Sequence, residues 1–245
     1  MSKWYSKDGN ENDVIVASSV SIARNLNSTP FPWRMNNEMR RAVCKKVYAA
    51  IQNSRLAGEF ELIQLDSLDE MSKSALLERG VISKKLRSQA LFGAVLVTRD
   101  ESVTIMLCED DHIKITVRAT GEDLKSIYSR ADAIDNIFID NLKLAFDKNY
   151  GFLTADPTCI GTGVRVSLLL NLPAINQRKM ISTLSEMINK LGFSIKEAMN
   201  GNGDLFELSN EISLGLSEEN AIDNLIAVSN LIVKQERALR GINYV

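Results

Sequence analysis

The sequence predicts an α+β fold, a central and mainly antiparallel sheet flanked by helices. Three observations carry this. Between residues 93 and 118 the β-rich runs AVLVT, VTIMLC and HIKITV follow one another with only the turns RDES and EDD between them, which is hairpin or meander spacing. Long segments with apolar residues at helical intervals separate the strand groups. No glycine-rich strand-to-helix turn of the Rossmann or P-loop kind occurs, so the usual sign of a parallel doubly wound sheet is missing.

Taken in order, residues 13 to 22 (DVIVASSVSI) are β-branched and partly alternating, a strand that the two prolines of NSTPFPW end. From 36 to 53, Met39, Val43, Val47, Ala50 and Ile51 recur at helical spacing. Residues 60 to 65 form a short strand, and 67 to 89 a charged helical stretch interrupted at Gly80. After the meander, Leu124, Ile127, Ala131, Ile134, Phe138, Leu142 and Phe146 form an apolar stripe, predicting one long helix over 121 to 148 that lies on the sheet. The loop YGFLTADPTCIGTG leads to the strand VRVSLLLNL, a helix over 176 to 191, strand material in FSIKEAM and LFELSNEISLG, and a last helix opened by Ser217 with two glutamates in its first turn.

The chain of 245 residues suits one core, with residues 1 to 11 expected as a flexible N-terminus. Its formal net charge of -2 argues against a nucleic-acid or anionic-membrane binder held by counterion release. The three cysteines lack disulfide or zinc spacing, which fits a reducing compartment. No apolar signal core or membrane-length run occurs, so a cytoplasmic location is expected. A single histidine, His112, excludes metal cages that need several histidines, and no protein metal site is assigned.

Four stretches, ASSVSIARNL (17 to 26), CEDDHIKI (108 to 115), YGFLTADPTCIGTGVRVSLLLNLP (150 to 173) and LFELSNEISLGLSEENAIDNL (205 to 225), together resemble the ATP:guanidino phosphotransferases, and specifically the protein-arginine kinases. The resemblance runs from about residue 12 to 240 and implies the guanidino-kinase catalytic-domain fold, glutamine-synthetase-like, as one domain. The further C-terminal helical domain of such kinases is expected to be absent after the helix that Ser217 opens. The resemblance also implies ATP and Mg2+ as co-substrate, and a protein substrate or a regulatory protein as partner.

Residue by residue, the resemblance assigns Glu109 and Asp110 to orienting the substrate guanidinium and to general-base work, with Asp156 where the family places a cysteine. On composition alone, the acidic triplet from Glu109 to Asp111 reads as a solvated hairpin turn, and Asp156 as the start of an Asp-Pro turn. The nucleotide-binding set implied is Ser19, Ser21, Arg24, His112, Lys114 and Arg165. Ser19 and Ser21 stand where the family has phosphate-gripping arginines, and Lys114 where it has another, keeping the charge but losing the bidentate fork. Arg24 has the alternative of a structural ion pair, and His112 that of a hydrogen-bonded structural residue. The family's substrate loop corresponds to residues 196 to 204, where Lys196 stands at an arginine position and Asn200 lies in a turn-like sequence. Arg118 and Lys148 are basic residues near these motifs with no place in the family pattern. This depleted set implies a degenerate kinase, or pseudokinase, acting as a binding or regulatory protein, against the alternative of an active phosphotransferase on protein arginine.

Overall fold

Alternation along three strands decides which face of the sheet is dry. In β1 (Ile15–Arg24), Val20 and Ile22 enter the main core while Ser19 and Ser21 face the opposite way into a cleft. Further along the chain come α1 (Asn37–Gln52), β2 (Phe60–Gln64), α2 (Glu70–Glu78), α3 (Lys84–Ser88), β3 (Ala94–Thr98), β4 (Val103–Leu107) and β5 (Ile113–Thr120). In β5, Ile113, Ile115 and Val117 are core residues, and Lys114, Thr116 and Arg118 line the cleft. The chain continues through α4 (Leu124–Asn141), a two-residue hairpin β6 (Phe146–Asp147) and β7 (Gly151–Phe152), and β8 (Val164–Asn171). β8 repeats the pattern, with Val164, Val166, Leu168 and Leu170 inward and Arg165 and Ser167 on the cleft. Last are α5 (Pro173–Gln177), α6 (Ile181–Asn189), β9 (Phe193–Glu197), β10 (Leu205–Asn210) and α7 (Glu218–Arg240). This computed structural model describes residues 2–89, 91–198, 203–211 and 217–241.

The eight-stranded sheet has the order β2-β3-β4-β5-β1-β8-β10-β9. Every pairing in it is antiparallel. Helices α1, α4 and α7 give Val47, Ile51, Ile134, Phe138, Leu225 and Ile232 to the main core on one face. Burying a side chain such as Phe138 contributes about 1.5–3 kcal/mol. On the other face, Leu76, Val81, Ile82 and Leu86 of the α2–α3 region cover Val95, Val97 and Met106 in a second, smaller core. That cover stops at β4, which leaves the polar faces of β5, β1 and β8 open as the floor of a cleft.

Three expectations need correction. The helix expected over 121 to 148 ends at Asn141, because Leu142 is extended and the chain then runs beside β1, with Ala145 N–H donating to Asn25 O and Leu144 bridging Leu26. Phe146 therefore lies outside the helical stripe and is exposed. The helix expected over 176 to 191 is two, α5 opening on Pro173 and α6 following a break at Lys179, whose φ is 57°. Finally, residues 2–11 are a docked segment and not a free tail. Trp4 N–H donates to Asp100 O at 3.0 Å, Lys3 meets Glu101 at 2.6 Å, and Glu122 N–H donates to Asn10 O at 2.9 Å.

Candidate functional site

A cleft of about 420 Å³ lies over the open strands, walled by the β4–β5 turn, the loop before β8 and the linker between α2 and α3. The β4–β5 turn is tight: Cys108 takes φ 60° and its N–H donates to His112 O at 3.0 Å, which sets Glu109, Asp110 and Asp111 at the mouth of the strands. The loop before β8 is held by paired Phe152 and Gly161 and by Ala23 N–H donating to Gly163 O at 2.9 Å. Gly163 has φ 68°, and a Cβ there would lie 2.7 Å from Ala23 O and collide with the Arg24 guanidinium, so the loop can close on β1 only with glycine.

Glu109, Asp110, Asp156, Lys114, Arg165, Ser19 and Ser21 all line this cleft. Glu109 is buried and accepts from Lys114 Nζ at 3.2 Å. Asp110 is half-exposed and pairs with Lys85 of α3. Arg165 Nη2 lies 3.5 Å from Asp156 Oδ2 and donates to Thr158 Oγ1 at 3.2 Å. Asp156 also starts the local turn, accepting from Thr158 N–H at 2.9 Å, as the Asp-Pro turn reading expects. Partial burial pushes the Asp156 carboxyl up, but the Thr158 hydrogen bonds and the Arg165 charge outweigh it and hold it below the ordinary carboxylate value. Ser21 Oγ lies 3.1 Å from Thr116 Oγ1 across the β1–β5 pair.

Arg24 and His112 are not among the residues lining the cleft. Arg24 is buried, its Nη2 2.6 Å from Asp135 Oδ2 of α4, its Nη1 donating to Ala23 O and Thr162 O, and its guanidinium 3.6 Å above the Phe152 ring. His112 is fully buried. Its Nδ1 accepts from Leu26 N–H at 2.9 Å, which leaves Nε2 as the protonated nitrogen, donating to Pro30 O at 2.8 Å. Burial holds its pKa below the usual histidine value. Lys196 is exposed on β9, paired in register with Glu207. Asn200 lies outside the described residues.

Several side chains of the site had no assignment from sequence. Asp111 is buried, accepts from Asn25 Nδ2 at 2.6 Å and from Ala155 N–H at 2.7 Å, and so ties the acidic turn to the β8 loop; burial pushes its carboxyl up. Lys85 and Glu207 reach the cleft region from elements far away in sequence, with no local signal. Arg118 did carry a signal, since period-two alternation places residues 114, 116 and 118 on one face.

A triphosphate with Mg2+ needs several cations free to meet it, the metal itself being held largely by phosphate oxygens and one or two carboxylates. Among the described cleft-lining residues, Lys114 and Arg165 already face carboxylates, and Arg118 has no ion pair. Among the described residues no group of three or more His, Cys, Asp or Glu side chains is arranged to hold a metal. This donor set fits a single anionic group better than a full triphosphate.

Residues 42–239 match the family model for the ATP:guanido phosphotransferase C-terminal catalytic domain. The chain belongs to the ATP:guanido phosphotransferase family. Within it, protein-arginine kinases from Brevibacillus brevis and Pelotomaculum thermopropionicum are 36% and 37% identical to 98% of this chain, which spans 69% of the length of each. The fold is shared with solved guanidino kinases. A duplicated taurocyamine kinase from Schistosoma mansoni with bound transition-state-analogue components aligns with 97% of this chain at 20% identity and a TM-score of 0.83, over 35% of its own length. A lombricine kinase aligns with 99% of this chain at 16% identity and a TM-score of 0.79, over 71% of its own length. Among the described residues no helix is long and apolar enough to cross a membrane.

Proposed function

We propose that this family member is a weak or inactive kinase whose cleft serves in binding or regulation of a protein partner. The observation that carries this is the engagement of the cleft's charges with one another: Lys114 with Glu109, Arg165 with Asp156, and Lys85 with Asp110, beside serines at the two phosphate-arginine positions. A charge-assisted hydrogen bond contributes on the order of 1.5–3 kcal/mol, so losing two phosphate arginines costs roughly 3–6 kcal/mol, or about two to four decades. Lys114 adds to the loss, because an ammonium lacks the planar fork that matches a phosphate. The cytoplasm and a protein partner follow from the family reading, and ATP with Mg2+ is the co-substrate that reading implies.

One observation supports the second reading, an active phosphotransferase on protein arginine: Glu109, Asp110 and Arg165 line one cleft. Calorimetric titration with ATP–Mg2+ separates the two. The unmodified chain is expected to bind weakly, and the double change Ser19→Arg with Ser21→Arg to bind at least about tenfold more tightly. Tight binding by the unmodified chain, unchanged by the substitutions, would overturn the proposal.

A further inference from the structure

The β1–β5 register sets Arg118 directly opposite Ser19. Cross-strand partners hold their Cβ atoms about 4.5–5.5 Å apart on one face, so a side chain from position 118 serves the space that one from position 19 would otherwise occupy. Both residues line the cleft. Arg118 Nη1 is fully enclosed and has no hydrogen-bond partner, and among the described residues the guanidinium forms no ion pair. Burial lowers its pKa to about 10, which still leaves it a cation at neutral pH. A half-buried arginine that lines a cleft and has no ion pair among the described residues is suited to meet an anion entering there.

Its surroundings fit that role. The guanidinium lies under the α2–α3 linker, where a Cβ on Gly80 would stand 4.0 Å from Cζ and Nη2, and the φ of Gly80 is 70°. The short Ser19 side chain leaves room beside it, and an arginine at 19 would set two guanidinium groups side by side. On the other walls, Lys114 faces Glu109 and Arg165 faces Asp156, so Arg118 is the cleft-lining cation without an ion pair among the described residues. We propose that Arg118 and Ser19 form an oxyanion site in the cleft that takes a single phosphoryl-type group, its arginine supplied by β5 and not by β1. The inference rests on the reading of an incomplete phosphate clamp and specifies what the cleft still binds.

The test is a thermal-shift titration of the full chain with inorganic phosphate, against potassium chloride at matched ionic strength, on the unmodified protein, Arg118→Leu, Arg118→Lys, and Arg118→Leu combined with Ser19→Arg. A ligand that binds only the native state raises its melting temperature saturably. The unmodified protein should show a saturable phosphate shift beyond the chloride control. Arg118→Leu should bind phosphate about tenfold or more weakly. Arg118→Lys should keep part of the shift, and the swap with Ser19→Arg should recover it. A parallel ATP–Mg2+ arm identifies the source of the group: a larger shift, also lost in Arg118→Leu, assigns it to a nucleotide phosphate, and equal or smaller ATP shifts assign it to free phosphate. No phosphate shift in the unmodified protein, or a shift that Arg118→Leu retains in full, overturns the inference. The functional proposal would survive either result, because it is decided by ATP affinity on restoring Ser19 and Ser21 and by turnover.

Discussion

Replacing Arg24 with methionine should destabilise the protein without removing a cleft ligand. Arg24 and Asp135 are each about 3% exposed and meet at 2.6 Å, with Arg24 Nε also donating to the same oxygen at 3.2 Å. Breaking one side of a buried ion pair typically costs 3–5 kcal/mol, since the remaining charge is left uncompensated. Here Asp135 Oδ1 already has no partner, so the orphaned carboxylate has no second group to turn to. The carbonyls of Ala23 and Thr162 lose a donor as well, and the stacking on Phe152 is lost. These contributions share one side chain and do not add in full, so a loss of about 4–5 kcal/mol is expected. Urea denaturation with a check that the m-value is unchanged measures it. Adding Asp135→Leu should recover much of the loss, because an apolar pair of similar volume tolerates burial. A loss below about 1 kcal/mol, accompanied by a tenfold fall in phosphate or ATP affinity, would refute the reasoning and return Arg24 to the nucleotide-binding set.

Glu236 of α7 is fully buried and accepts from Ala174 N–H and Ile175 N–H at 2.9 Å each, so Glu236→Ala should cost about 3 kcal/mol or more in the same assay, and Glu236→Gln less. Gly163→Ala should cost about 1–3 kcal/mol through its positive φ and the contact with Ala23 O, measured by thermal melting. His112 has a folded pKa below its unfolded value, so the unfolded state binds more protons in the window just below pH 6.5. Its contribution to stability is therefore complete above that pH and falls as pH drops, by at most about 1.4 kcal/mol per pH unit. In His112→Asn that part of the slope should vanish, which denaturation midpoints at pH 5, 6 and 7 check.

What the sequence revealed and what it hid divide along the range of the interactions. The meander of β3, β4 and β5 was legible because its hydrophobic period is two and its turns are short, and the start of α7 because Ser217 accepts from Asn220 N–H as an N-cap. The end of α4 was not, since the apolar stripe continues to Phe146 while backbone hydrogen bonds of Ala145 N–H to Asn25 O and of Asn27 N–H to Lys143 O draw this segment out of the helix. Pro173 was a local sign that a helix opens there, and the break at Lys179 had none. In the site, the motif residues were legible as residue types. Their charge partners were not: Asp135 lies 111 positions from Arg24, and Lys85 25 positions from Asp110. The pairing of Ser19 with Arg118 needs the strand register, which sequence spacing does not supply.

The most direct test of the central claim is turnover. Purified chain is incubated with ATP–Mg2+ and an arginine-rich protein, and acid-labile phosphate on arginine is quantified against a no-enzyme control. A clamp in which Lys114 and Arg165 face the chain's own carboxylates and serines hold positions 19 and 21 predicts incorporation near background. Robust, Mg2+-dependent phosphorylation of arginine by the unmodified chain would contradict it.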